Sequence, residues 1–225
     1  MFYYYDMGYM LIALLATVLG LATQAYINRM YAKWSVVDAS FGATGADVAK
    51  DMLRNAGVSG VGFARIGGTL TDHYDPRDNT LHLSDANCDG GSVASVAVAC
   101  HEAGHAVQHA HAYVPVQIRS ALVPVVNLTQ STWSLVLLAG IMMQMAGLVQ
   151  LALILFAASV AFQLVTLPVE IDASRRAIVY LGQHGQAIDQ QGAKEVLTAA
   201  ALTYVAAALT SVVQLLYLMS RMRRR

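Results

Sequence analysis

His101, Glu102 and His105 stand in the run VACHEAGHAVQHA at the spacing H-E-x-x-H. Residues four apart lie one above the other on one face of an α-helix, so both imidazoles can bind a single Zn²⁺ while the glutamate stands beside its water. The pattern predicts one zinc ion per chain, water whose pKa falls toward about 7, and Glu102 as the general base that takes up and returns the proton. A helix carrying merely solvated histidines is the alternative. Against it, Val93, Val96, Ala97 and Cys100 recur at helical spacing behind Ser92, a suitable N-cap, which predicts a largely buried helix over about 92–112.

A catalytic zinc takes three protein ligands and keeps one position open, so a third ligand must be found. His111 follows His101 at the distance of the third histidine in H-E-x-x-H-x-x-G-x-x-H, but Gln108 occupies the glycine position that turns the chain. The helix is therefore expected to continue and carry His111 away, leaving His109 and His111 as exposed polar residues. Glu170, in the run LPVEIDASRR, is the stronger candidate, because a carboxylate directly after an apolar span invites a functional explanation. Its side of the membrane depends on how often the intervening chain crosses.

The elements that must position these groups are mostly membrane spans. Of 225 residues, 56% are hydrophobic and 12% charged, the net charge is zero, and the mean hydropathy is +0.49, too apolar for an ordinary soluble domain. Residues 8–27 suffice for a first transmembrane helix, with Tyr3, Tyr4, Tyr5 and Tyr9 as an interfacial belt in place of a basic signal region, and with a stop at Asn28 and Arg29. A long apolar stretch then fits a transmembrane hairpin, 122–147 and 148–168, with its turn near 144–147, and 196–219 fits a fourth span. The double crossing returns Glu170, in a segment over 169–185, to the face that carries His101 and His105.

Between the first two spans, residues 32–119 hold most of the acidic residues and are expected to form a small α+β domain at the membrane surface. Thr44 with Asp47 reads as a capping box for a helix that ends near Gly57. The stretches 61–66 and 80–84 suit short strands on either side of a turn-rich segment, 74–79, and the strand nearest the zinc helix offers an edge for extended peptide. Cys88 and Cys100 lack zinc-ligand spacing and read as free thiols. The arginine tail, Arg221 with Arg223 to Arg225, abuts an apolar segment and reads as a headgroup anchor rather than a nucleic-acid patch. The partners implied are a peptide or protein substrate and the lipid bilayer, with no nucleic acid.

The runs LTDHYDPR at 70–77, the H-E-x-x-H helix, RSALVP at 119–124, FQLVTLPVE with DASRR at 162–176, and AAALTYVAAALT at 199–210 resemble the bacterial YugP-type family of membrane zinc metallopeptidases. Two histidines, a membrane hairpin and then Glu in E-x-x-A are more distantly similar to the integral-membrane gluzincins, which include prenyl-protein proteases and heat-shock membrane proteases. The resemblance implies a mainly α-helical integral membrane protein of about four transmembrane helices with a zincin-like domain, and a metalloendopeptidase activity with Glu170 as third ligand. It also implies a bacterial inner-membrane location with the site on the cytoplasmic face. The chain departs from that pattern at Ser174, where those enzymes place an aspartate that orients a zinc histidine. Ser174 does this itself, or Asp172 or Asp72 takes the role. Donors to a developing oxyanion are sought among His73, Tyr74 and His184.

Two other readings follow from the same residues. A non-catalytic zinc-binding scaffold has no use for Glu102. An intramembrane, site-2-like zinc protease places the motif inside a span, whereas here it follows a polar segment.

Overall fold

The computed structural model describes residues 6–223 and, of Arg223, the backbone only. Tyr3, Tyr4, Tyr5, Arg224 and Arg225, assigned above to an aromatic belt and an arginine anchor, lie outside the described residues. The chain is mainly helical, in the order α1 (Met7–Trp34), α2 (Gly45–Asn55), β1 (Gly62–Ile66), β2 (His73–Asp75), β3 (Thr80–Ser84), α3 (Asp85–Asp89), α4 (Val93–Ala110), α5 (Val114–Met142), α6 (Ala146–His184) and α7 (Ala187–Arg223). Among the described residues, α1, α5, α6 and α7 are long and apolar enough to cross a membrane. Leu14, Leu15, Leu21, Leu128, Leu135 and Ile154 stand exposed along them. Such bands suit lipid and would be a liability in water.

Contacts divide the chain into two compact units, one within 1–22, 118–167 and 203–225, the other comprising 23–117 and 168–202. Among its described residues, the first unit is built from helix segments. Its hairpin closes where Gln144 takes a left-handed backbone (φ 56°) and Met145 N–H donates to Gly140 O at 2.9 Å, leaving the Gly140 Cα against the Val149 backbone. Leu153, Phe156, Val160 and Leu218 form a buried apolar cluster, and Trp133 stacks on Phe156 at 4.4 Å.

The second unit wraps α2, the sheet and the ends of the long helices around α4. Thr44 Oγ1 accepts from Asp47 N–H at 3.2 Å to cap α2, whose chain leaves through Gly57 at φ 71°. Ser92 Oγ caps α4 by accepting from Ser95 N–H at 3.1 Å. In front of it, Val93 N–H donates to Val37 O and Ala39 N–H to Gly91 O, both at 2.8 Å, tying the chain after α1 to the start of α4. Leu81 and Leu83 of β3 are fully buried and join Val48, Val96, Ala99 and Ala103 in one core.

Two expectations need correction, and two helices extend beyond the expected spans. The helix α1 does not stop at Asn28 and Arg29 but runs on to Trp34, because Trp34 is buried and its Nε1–H donates to Glu195 Oε2 at 2.9 Å, beside Lys33 Nζ at 2.6 Å. Gly192 makes room for this: a Cβ there would fall 2.7 Å from the Trp34 ring. The turn-rich segment contains a strand, β2, pairing antiparallel with β3, so the strand at 80–84 is central, flanked by β1 in parallel register, and offers no free edge. The helix α6 continues through Pro168, so Glu170 lies on the same helix as the expected span 148–168. The last helix begins at Ala187, ahead of the expected span 196–219, because buried Asp189 accepts from Gln186 N–H at 2.7 Å and Ser40 N–H at 3.0 Å across its first turn.

A candidate metal centre between two helices

The site is built where α4 crosses α6, both segments belonging to the second unit. Gly104, inside the HEAGH run, decides how closely they approach. A Cβ placed on it would lie 2.8 Å from Ala173 O and 3.2 Å from Ala173 Cα. Only a hydrogen fits, so the backbone of α6 rests directly on α4 between its two histidines. Ala99, Ala103 and Ala106 on α4, with Ala173 and Ala177 on α6, are all buried to 1% exposure or less. Small residues on both faces bring the helices close enough for short side chains to meet.

They meet at three atoms. His101 Nε2 lies 3.4 Å and His105 Nε2 3.7 Å from Glu170 Oε2. Among the described residues these three form the group whose ligand atoms converge, all within 4.8 Å of one another. An ion bound tetrahedrally at about 2.0–2.1 Å holds its ligands about 3.3 Å apart, so the two histidine-to-carboxylate spacings fit zinc. The donor set, two nitrogens and one carboxylate oxygen, is one that zinc accepts, and it leaves a fourth tetrahedral position open. His111 is not in the group. It caps the end of α4 with its N–H on Val107 O, and Ala112 turns away at φ 50°.

Each histidine is also held from behind. His101 Nδ1 lies 3.1 Å from Ser174 Oγ, and His105 Nδ1 3.0 Å from Gln108 Oε1. With their Nδ1 atoms engaged, both rings present Nε2 to the carboxylate, the usual outer support of a metal-ligating histidine. Asp172 accepts from Gln108 Nε2 at 2.9 Å and from Arg176 Nε at 2.6 Å, so it touches the site through Gln108 rather than directly. Asp72 belongs elsewhere: it accepts from Ser84 N–H at 2.7 Å and Asn87 Nδ2 at 2.8 Å and fixes the approach to β2. His73 stacks on His82, and His184 is engaged with Tyr180 and Asn55, so neither joins the converging group.

Glu102 is buried beside the two histidines. The β2 strand reaches it: Tyr74 N–H donates to Glu102 Oε2 at 3.0 Å, while the Tyr74 hydroxyl donates to Asn79 Oδ1 at 2.8 Å. Burial would depress the His105 imidazole, but the Glu170 carboxylate and the nearby Glu102 outweigh it and hold the ring above its ordinary pKa.

Three contributors escape a reading by residue pattern. Gly104 leaves one signal, since a glycine inside a helix sacrifices about 1 kcal/mol against alanine and calls for a packing reason. Gln108 registers in the sequence only as the residue that is not glycine. Tyr74 acts through its backbone, which leaves no side-chain signature at all.

Four helices long and apolar enough to cross a membrane, with two histidines and a glutamate gathered where α4 packs on α6, define a class, and comparison with known proteins agrees. A family model described as "Putative neutral zinc metallopeptidase" matches residues 9–223, and the chain belongs to that family. Among its relatives is the "Putative membrane protease YugP" of Bacillus subtilis (strain 168), 42% identical over 209 residues that cover 91% of this chain and 93% of that protein. No solved structure matches the chain.

Proposed function

We propose that the chain is a membrane-bound metalloendopeptidase of gluzincin type that hydrolyses peptide bonds in proteins at the bilayer surface. The observation that carries this reading is the convergence of His101 Nε2, His105 Nε2 and Glu170 Oε2, with a second carboxylate, Glu102, beside them and outside the ligand group. His101, His105 and Glu170 would hold a zinc ion, which would supply Lewis acidity toward a substrate carbonyl and acidify water toward a pKa of about 7.

Glu102 accepts the proton of the attacking water and passes it to the leaving amine. Its carboxylate is fixed for that task by the Tyr74 N–H, which occupies Oε2 and leaves Oε1 to meet the water. Ser174 and Gln108 hold the imidazoles in place. The near-complete burial of Glu170 keeps competing water from it.

When each of the four apolar helices crosses once, 23–117 and 168–202 share one face of the bilayer, which agrees with their forming one unit. We place that face in the cytoplasm of a bacterial cell and the helices in its inner membrane. The substrates are then membrane proteins or peptides presented at that surface.

Glu102→Gln tests the reading. The variant is expected to retain one zinc per chain by metal analysis and to lose cleavage of an unfolded protein substrate by at least about 100-fold, the lower end of general-base effects. Cleavage at the wild-type rate by a zinc-loaded variant would remove Glu102 from the mechanism.

A further inference from the structure

Gln108 is fully buried on the face of α4 that meets α6, and its amide has three partners. Nε2 lies 2.8 Å from Val169 O and 2.9 Å from Asp172 Oδ2, and Oε1 lies 3.0 Å from His105 Nδ1. A backbone carbonyl can only accept a hydrogen bond, and so can a carboxylate held by an arginine, as Asp172 is by Arg176 Nε at 2.6 Å. Both acceptors demand the NH₂ end of the amide. The oxygen end must therefore face His105, and His105 Nδ1 must carry a hydrogen.

We infer that Gln108 is a positioning residue that fixes the tautomer of the neutral His105 ring, with the hydrogen on Nδ1 and the lone pair on Nε2 toward Glu170. The inference rests on the zinc-site reading above and adds a residue to it. The same amide also staples α4 to Val169, the residue before Glu170, so one side chain sets the direction of one ligand and the height of another. His101 has no such lock: the Ser174 hydroxyl, 3.1 Å from its Nδ1, can donate or accept and leaves either tautomer open. The two histidines of the motif are therefore unequal. His105 is prepared for a cation before one arrives, and His101 adjusts to it.

The test compares wild type, Gln108→Met and His105→Ala, purified in detergent, by zinc titration against a chromophoric chelator. Methionine keeps the length and the apolar packing and removes all three hydrogen bonds. Gln108→Met is expected to keep its far-UV circular dichroism and to lose zinc affinity roughly 10- to 100-fold, the usual effect of removing an outer partner of a metal histidine. Cobalt substituted into it should also show a shifted visible spectrum, which a helix staple without influence on the ring would not produce. Zinc affinity within twofold of wild type, with an unchanged cobalt spectrum, overturns the role of Gln108 and leaves the site intact. Wild type without stoichiometric zinc, or His105→Ala binding as tightly as wild type, instead overturns the site itself. A second measurement needs no variant: nitrogen-15 NMR of labelled histidine in the metal-free wild type, at a pH where the ring is neutral, should show His105 protonated at Nδ1. A ring protonated at Nε2 refutes the inference even if the variant fails to fold.

Discussion

Gly104→Ala adds a single methyl group and should disable the site without touching a ligand. The new Cβ would stand 2.8 Å from Ala173 O, 3.2 Å from Cα and 3.3 Å from the carbonyl carbon, where ordinary contact begins at 3.4 Å. All three are backbone atoms, so no side chain can swing aside, and trimming Ala173 to glycine would not relieve the clash. The axis of α6 must retreat by about 0.6 Å at the closest contact, or both helices must bend. Alanine gains about 1 kcal/mol in helix propensity over glycine, and overpacking of this kind removes about 1–3 kcal/mol, so global stability changes by at most about 2 kcal/mol. The site fares worse. Metal sites tolerate displacements of about 0.2 Å, and the retreat pulls Glu170 away from both histidines by more than that. Zinc affinity is expected to drop by at least about 10-fold, with the helical circular dichroism spectrum preserved. Chelator competition on the purified variant reads the first quantity and thermal unfolding the second. Wild-type affinity in Gly104→Ala would refute the argument that the 104–173 contact sets the ligand spacing.

Two further outcomes can be checked with little effort. Thr44→Ala removes the cap of α2 and should lower stability by about 1 kcal/mol in thermal or denaturant unfolding, with zinc affinity unchanged, since Thr44 bonds only within its own turn. In a Cys88→Ser background, a cysteine at the exposed position Val36 should react with an impermeant maleimide in bacterial cells only after the membrane is permeabilised, as a cytoplasmic site requires. Labelling of intact cells would reverse the assigned orientation. Cys100 provides an internal control: it is fully buried, burial pushes its thiol pKa up, and it should resist the reagent until the protein is denatured.

Much of this structure is written in local pattern. Helix caps at Thr44 and Ser92, the four apolar stretches and the two histidines one turn apart each depend on residues within a few positions of one another, which is the range over which periodicity and capping act. What the pattern does not carry is contact between distant segments. The strand β2 is three residues long, polar and set among turn formers, and it exists because Leu81 and its neighbours in β3 give it a partner. The helix α6 runs through Pro168 because packing against α4 holds its far side. Gln108, read alone, argues only against a turn; its role appears once Val169 and Asp172 are beside it. The candidate ligands were legible, whereas the groups that aim them were not.

The division of the candidate ligand set between α4 and α6 also bears on biogenesis. A ribosome delivers His101, Glu102 and His105 well before Glu170, with all of α5 and the hairpin turn still to come. A nascent chain that stalls or fails to insert its hairpin holds two histidines and a base but no third ligand, and the Gly104 face of α4 has nothing to rest on. On the proposed reading, hydrolytic competence thereby waits for the hairpin, and a chain stalled before Glu170 is not yet a protease among its neighbours.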